Sequence, residues 1–161
     1  MPVIDVQSDT AALPLTITAE FAAPVDRVWD VYANPRQLEK VWGPPDYPAT
    51  FVEHDFQPGG RASYYMTAPD GQKFGGWWQF DSIDPTSSFS FTDGFADDDL
   101  QPVDNMPVST NHYTFTATDT GTRTVYQSTF ASADDLQKVL DMGVIEGASG
   151  AINQIDALLA A

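Results

Sequence analysis

Cysteine is absent from all 161 residues, which excludes disulfide staples, thiolate catalysis and Cys-based metal sites. Basic residues are scarce. Arg27, Arg36, Lys40, Arg61, Lys73, Arg123 and Lys138 face 23 acids, for a formal charge of -16. A field of that sign repels phosphate backbones and anionic lipid, so neither nucleic acid nor a membrane surface is expected as partner. Its plain consequence is a well-solvated surface. No apolar run approaches the length of a membrane span, so membrane insertion is not expected. Met1-Pro2-Val3-Ile4-Asp5 lacks a basic region followed by an apolar stretch, so no secretory signal is read and a cytoplasmic location is the expectation.

Histidine occurs only twice. His54 stands between Glu53 and Asp55, and His112 precedes Tyr113, with no HxH or HxxxH pair. A metal centre needs several converging ligands at a defined spacing, so no metal and no cofactor is expected. His112 is weighed as a general base, but a hydrogen-bonded structural histidine is the preferred reading. Asp93-Gly94 and Asp97-Asp98-Asp99 suggest calcium, yet they lack the alternating acids and closing Glu of an EF-hand loop. They read as a solvated loop. GxSxG, Walker-type and dinucleotide glycine motifs are all missing.

What is present is an ordered run of strand and helix signals within a length that suits one domain. Residues 1–12 have no sustained period and read as a flexible lead-in to a single domain over 13–161. Leu15, Ile17, Ala19 and Phe21 alternate with polar residues, as in a half-buried strand. Pro24 opens a short helix with Val25, Val28, Trp29 and Tyr32 on its apolar side. Asn34-Pro35 caps and starts a second, which Gly43-Pro44-Pro45 stops. Strands follow over Phe51–Phe56, Arg61–Thr67, Lys73–Ile83, Phe89–Thr92, Thr110–Thr118 and Thr122–Phe130, with Asp93–Pro107 a long loop. Ser132 and Asp135 then begin one long helix, from about Ala133 to Leu159. Hairpins rather than helical crossovers join the strands, so the fold class is α+β: a curved antiparallel sheet of six or seven strands, helices on one face.

Several short motifs recur in a specific order. They are Phe21-Ala22-Ala23-Pro24, Trp42-Gly43-Pro44, Pro58-Gly59-Gly60-Arg61, Ala68-Pro69-Asp70-Gly71, Gly76-Trp77-Trp78, Ile83-Asp84-Pro85, Gly121-Thr122-Arg123 and Met142-Gly143-Val144-Ile145-Glu146-Gly147. In this order the chain, over about residues 15–160, resembles the START-like helix-grip superfamily (the SRPBCC, birch-allergen-like fold). Within it, the chain is similar to the branch of the C-terminal domain of the heat-shock ATPase activator. The resemblance implies two short helices after the first strand, a sheet gripping the long C-terminal helix, and a cavity between them. Relatives include hydrophobic-ligand carriers, polyketide cyclases and chaperone activators, so fold alone does not choose among them.

Two features point to the cavity. The long helix carries Gly143, Gly147 and Gly150, although glycine costs about 1 kcal/mol against alanine in a helix interior. Either close packing or an internal space would account for them. Opposite lies an aromatic set, from which Trp29, Tyr32, Trp42, Tyr65, Trp78, Phe80, Tyr113 and Phe115 are the candidate ligand contacts, together with Gly143 and Gly147. Strand parity leaves open which of Trp77 and Trp78 points inward. The expected function is binding of a small apolar or aromatic molecule, by a monomer or homodimer. The alternatives are a chaperone-activating or stress-response protein with a chaperone or other protein as partner, and a cyclase- or hydrolase-like enzyme using a cavity His, Asp or Tyr.

Overall fold

The computed structural model describes residues 3–8, 14–43, 45–104 and 106–160. Strand β1 (Val3–Ser8) pairs antiparallel with β2 (Pro14–Phe21), whose Leu15, Ile17, Ala19 and Phe21 are all buried. The expected flexible lead-in therefore contains a strand. Its sequence is too short and weakly patterned to announce itself, but the open edge of β2 offers backbone partners that leave it paired. Residues 1, 2 and 9–12 of that lead-in lie outside the described residues.

Helices α1 (Val25–Ala33) and α2 (Pro35–Val41) follow β2 as expected. Pro24 stands at the N-cap position of the first without a side-chain hydrogen bond, and the Asn34 side chain accepts from the Arg36 N–H at the start of the second. Val28, Trp29, Val31, Tyr32, Leu38 and Val41 turn into the core.

Six strands complete the sheet: β3 (Ala49–His54), β4 (Arg61–Thr67), β5 (Lys73–Asp84), β6 (Ser88–Ala96), β7 (Ser109–Ala117) and β8 (Thr122–Phe130). The eight strands are ordered β1-β2-β8-β7-β6-β5-β4-β3, antiparallel throughout. Bulges between Phe51 and Glu53 and between Phe80 and Ser82 locally increase the twist. β6 runs four residues beyond Thr92, because its pairing with β5 continues through Trp78↔Asp93 to Gly75↔Ala96. The loop expected from Asp93 thus starts only after Ala96. The count is eight strands rather than six or seven.

The C-terminal segment corrects a second expectation. In place of one long helix there are three: α3 (Ala133–Asp141), α4 (Val144–Asn153) and α5 (Ile155–Ala160). Ser132 caps α3 by accepting from the Asp135 N–H, as its spacing implies. The break falls at Gly143, whose φ of 83° and ψ of 30° are left-handed, the usual conformation of the residue just past a helix end. Helical periodicity runs through the break because the next helix resumes at once, with the Gly147 N–H on the Gly143 carbonyl. α3 packs on β8, α4 on β1, and α5 on α1 and α2.

Two apolar clusters result. The larger is aromatic and joins α1 and α2 to the inner face of β3 through β8. The smaller holds Leu15, Phe130, Leu136 and Val139, where α3 meets β2 and β8. The space between them is the site.

Candidate functional site

A cavity of about 380 Å³ separates the helical segment from the sheet. Its roof comes from α3 and α4 (Val139, Met142, Gly143, Gly147, Ala148, Ala151), and α2 closes one end with Val41 and Trp42. β2 and β8 supply apolar side chains below, among them Leu15, Ile17 and Phe130. The two glycines expected on this face do border the space, and Leu136 is buried beside it.

The candidate aromatic contacts divide. Tyr32, Trp42 and Tyr113 line the cavity with Gly143 and Gly147. Trp29, Trp78, Phe80 and Phe115 do not; they are core. Trp78 is the inward-pointing one of its pair, fully buried and stacked on Phe91 at 4.3 Å. Phe80 is equally buried, and Trp29 sits edge-on to Phe56, Phe89 and Phe115 at 5.2 to 5.7 Å. Tyr65 is on the other face of β4, its ring under the Lys73 ammonium at 4.5 Å. Its inward neighbour Tyr64 lies against Gly76, where a Cβ would come within 2.4 Å of the phenol ring. The missing Cβ at Gly76 lets the Tyr64 ring lie against the neighbouring strand.

A polar strip forms one wall, and it is the part that sequence reasoning missed. On β7 the inward positions run Ser109, Asn111, Tyr113, Phe115; on β6 they run Phe89, Phe91, Asp93, Phe95. Ser128 Oγ donates to Asn111 Oδ1 at 2.6 Å, and Asn111 Nδ2 donates to Ser109 Oγ at 3.1 Å. Ser109 Oγ in turn donates to Asp93 Oδ1. The chain of donors ends on that carboxylate. Strand parity was the available signal: stepping back by twos from Tyr113 reaches Asn111 and Ser109, and stepping on from Phe91 reaches Asp93. Reading Asp93 as the start of a loop hid it.

Asp93 is half-buried and lines the cavity. Burial pushes its carboxyl up from the usual 3.8 to about 6, against the opposing effect of its bonds with Ser109 and Asn111. The ion pairs among the described residues, Arg36–Glu39 and Arg123–Glu20, are both elsewhere. Deeper in, Tyr32 Oη donates to Tyr126 Oη at 2.8 Å. Burial raises the Tyr126 phenol to about 12 and holds Tyr32, Tyr64 and Tyr113 above their ordinary range, so all four stay protonated at neutral pH. The Trp42 indole N–H is buried without a hydrogen-bond partner among the described residues.

Neither histidine reaches the cavity. His54 Nε2 lies 2.9 Å from the Tyr32 carbonyl, a contact that makes it the protonated ring nitrogen, and burial lowers its pKa. His112 points outward, its Nδ1 2.7 Å from Ser90 Oγ. No group of three or more His, Asp or Glu converges among the described residues, and no helix there is long and apolar enough to cross a membrane.

An antiparallel sheet gripping a C-terminal helical segment over an internal cavity defines a helix-grip α+β protein. The chain belongs to the family of activator of Hsp90 ATPase homolog 1-like proteins, whose pattern matches residues 22–160. Its fold is shared by the crystal structure of protein Ms6760 from Mycobacterium smegmatis, at 65% identity and a TM-score of 0.91, covering 98% of this chain and 97% of that one. The solution structure of an Arthrobacter aurescens protein is similar at 47% identity, with a TM-score of 0.94 and coverage of 98% and 92%. An AHSA1 protein from Silicibacter pomeroyi, 22% identical with a TM-score of 0.75 over 91% of this chain and 97% of its own, shares the fold. No curated protein matches the sequence.

Proposed function

We propose that this protein binds a small, largely apolar or aromatic molecule between its helical segment and its sheet. The observation that carries this reading is the cavity itself. An aromatic core that elsewhere packs rings at 4.3 to 6.4 Å leaves about 380 Å³ unfilled, within the range of small-molecule sites. Its wall is apolar apart from one strip of polar side chains, the pattern that orients a ligand by one end. The test is titration with the neutral probe N-phenyl-1-naphthylamine, read by its own fluorescence and by quenching of Trp42. Saturable one-to-one binding is expected, with loss in Gly147→Leu, a bulky substitution at a position that lines the space. A folded wild-type protein that shows no saturable uptake refutes the reading.

Asp93 supports a second reading, a cyclase- or hydrolase-like enzyme. A carboxyl that titrates near 6 inside a cavity is a workable general acid or base. Against it, the described lining offers no histidine or other base as a partner. Recovery of bound ligand chemically altered after incubation would favour the enzyme; recovery unchanged favours the carrier. For a protein-partner role, the exposed apolar side chains among the described residues amount to little more than the Tyr47–Phe74 pair and scattered single residues.

A further inference from the structure

Asp93 is the one charged residue among the described residues that line the cavity. It shares the lining with aromatic residues from several elements, Trp42 just past the end of α2, Phe95 from its own strand and Tyr113 from β7. Its hydrogen-bond donors are neutral. A carboxylate in such a place keeps its charge at neutral pH with no cation among the described lining residues to offset it, a costly arrangement in a poorly solvated site.

From this geometry we infer that the ligand is an organic cation, an apolar or aromatic amine whose ammonium group sits against Asp93 with its carbon body under α3 and α4. The inference rests on the binding reading above and narrows its ligand class. An ammonium satisfies both halves of the wall. It donates to the free lone pairs of the carboxylate, giving a charge-assisted bond, and it is attracted to the faces of surrounding aromatic rings. A neutral alcohol donates one bond but leaves the charge uncompensated. A carboxylic acid arrives with the wrong sign. The net charge of -16 acts in the same direction at long range, because it concentrates organic cations around the protein and depletes anions.

The groups that act on Asp93 from the packed elements are few. Tyr64 from β4 and Tyr113 from β7 are phenols that remain neutral across the working range, and Ser109 and Asn111 do not titrate. On the helical roof, Lys138 and Glu146 are exposed and stand outside the lining. The pH response of amine binding is therefore set by Asp93. The carboxyl protonates on going below about pH 6 and loses its attraction, while the amine stays charged throughout.

The experiment compares 4-phenylbutylamine, 4-phenylbutanol and 4-phenylbutanoate as competitors of N-phenyl-1-naphthylamine, in 0.3 M sodium chloride to screen surface charge. At pH 7.5 the amine is expected to bind at least tenfold tighter than the alcohol, and the carboxylate weakest. At pH 5 the amine's advantage should shrink several-fold. In Asp93→Asn the amine-to-alcohol ratio should fall to near one at both pH values. An amine preference that persists in Asp93→Asn, or alcohol and amine binding equally to the wild type, overturns the inference while probe binding keeps the cavity reading intact. Failure of the probe itself to bind overturns both. Should Asp93→Asn not fold, the wild-type pH comparison decides alone: an amine advantage that is unchanged between pH 7.5 and 5 refutes the role of Asp93.

Discussion

Replacing Gly143 and Gly150 separately by alanine should move stability in opposite directions. The two positions sit seven residues apart in one helical segment, and among the described residues a Cβ at either meets only one atom, at 3.8 Å: Glu146 Oε2 for Gly143 and Pro45 Cδ for Gly150. Sterics therefore cancel, and the backbone alone distinguishes them. Gly150 lies inside α4 with ordinary helical dihedrals, so alanine removes glycine's excess unfolded-state freedom and should stabilise by about 0.5–1 kcal/mol. Gly143 is left-handed at φ 83°, a conformation that costs a non-glycine residue roughly 1–2 kcal/mol. Subtracting a similar unfolded-state gain leaves Gly143→Ala destabilised by about 1 kcal/mol. The variants should thus differ by about 1–2 kcal/mol, or several degrees in Tm, since about 1 kcal/mol moves a chain of this size by roughly 2–4 °C. Gly143→Asn should lie between Gly143→Ala and wild type, because asparagine tolerates the left-handed region better. Urea and thermal melts followed by circular dichroism measure all three. If both alanine variants are stabilised, the segment is one continuous helix and the break at Gly143 is wrong.

Leu136→Ala should destabilise by about 2–5 kcal/mol in urea unfolding, because its fully buried side chain anchors α3 to β2 and β8 and its loss enlarges a space already underfilled. Tyr32→Phe should cost about 1–3 kcal/mol by leaving the buried Tyr126 hydroxyl without its donor; a neutral result would mean that water fills the gap. Asp93 binds its proton more tightly folded than unfolded, so its contribution to stability is present at low pH and is lost as pH rises from about 4 to about 6. Asp93→Asn removes that loss, so the variant should gain on wild type through this window, by on the order of 1–2 kcal/mol at neutral pH after allowance for its partial exposure. A stability difference that does not change between pH 4 and 7 would contradict it.

Local pattern was enough for most of the framework. Alternation fixed β2 and its buried face, Asn34-Pro35 fixed the start of α2, and Ser132 with Asp135 fixed the start of α3, because each depends on neighbours within a few residues. The motif order pointed to the family that the match over residues 22–160 establishes. Other features needed partners far away in sequence. β1 and the end of β6 exist because β2 and β5 offer open backbone edges, which no local period records. Gly143 carries a helical phase yet interrupts the helix, since periodicity counts side chains and is blind to one residue's φ. The aromatic set split into cavity wall and core only when the sheet placed Trp78, Phe80 and Phe115 against other rings and left Tyr32, Trp42 and Tyr113 beside empty space. Asp93, one acid among 23, became distinct only through its place opposite Ser109 in the ladder, where the fold removes water from it and the described lining holds no cation.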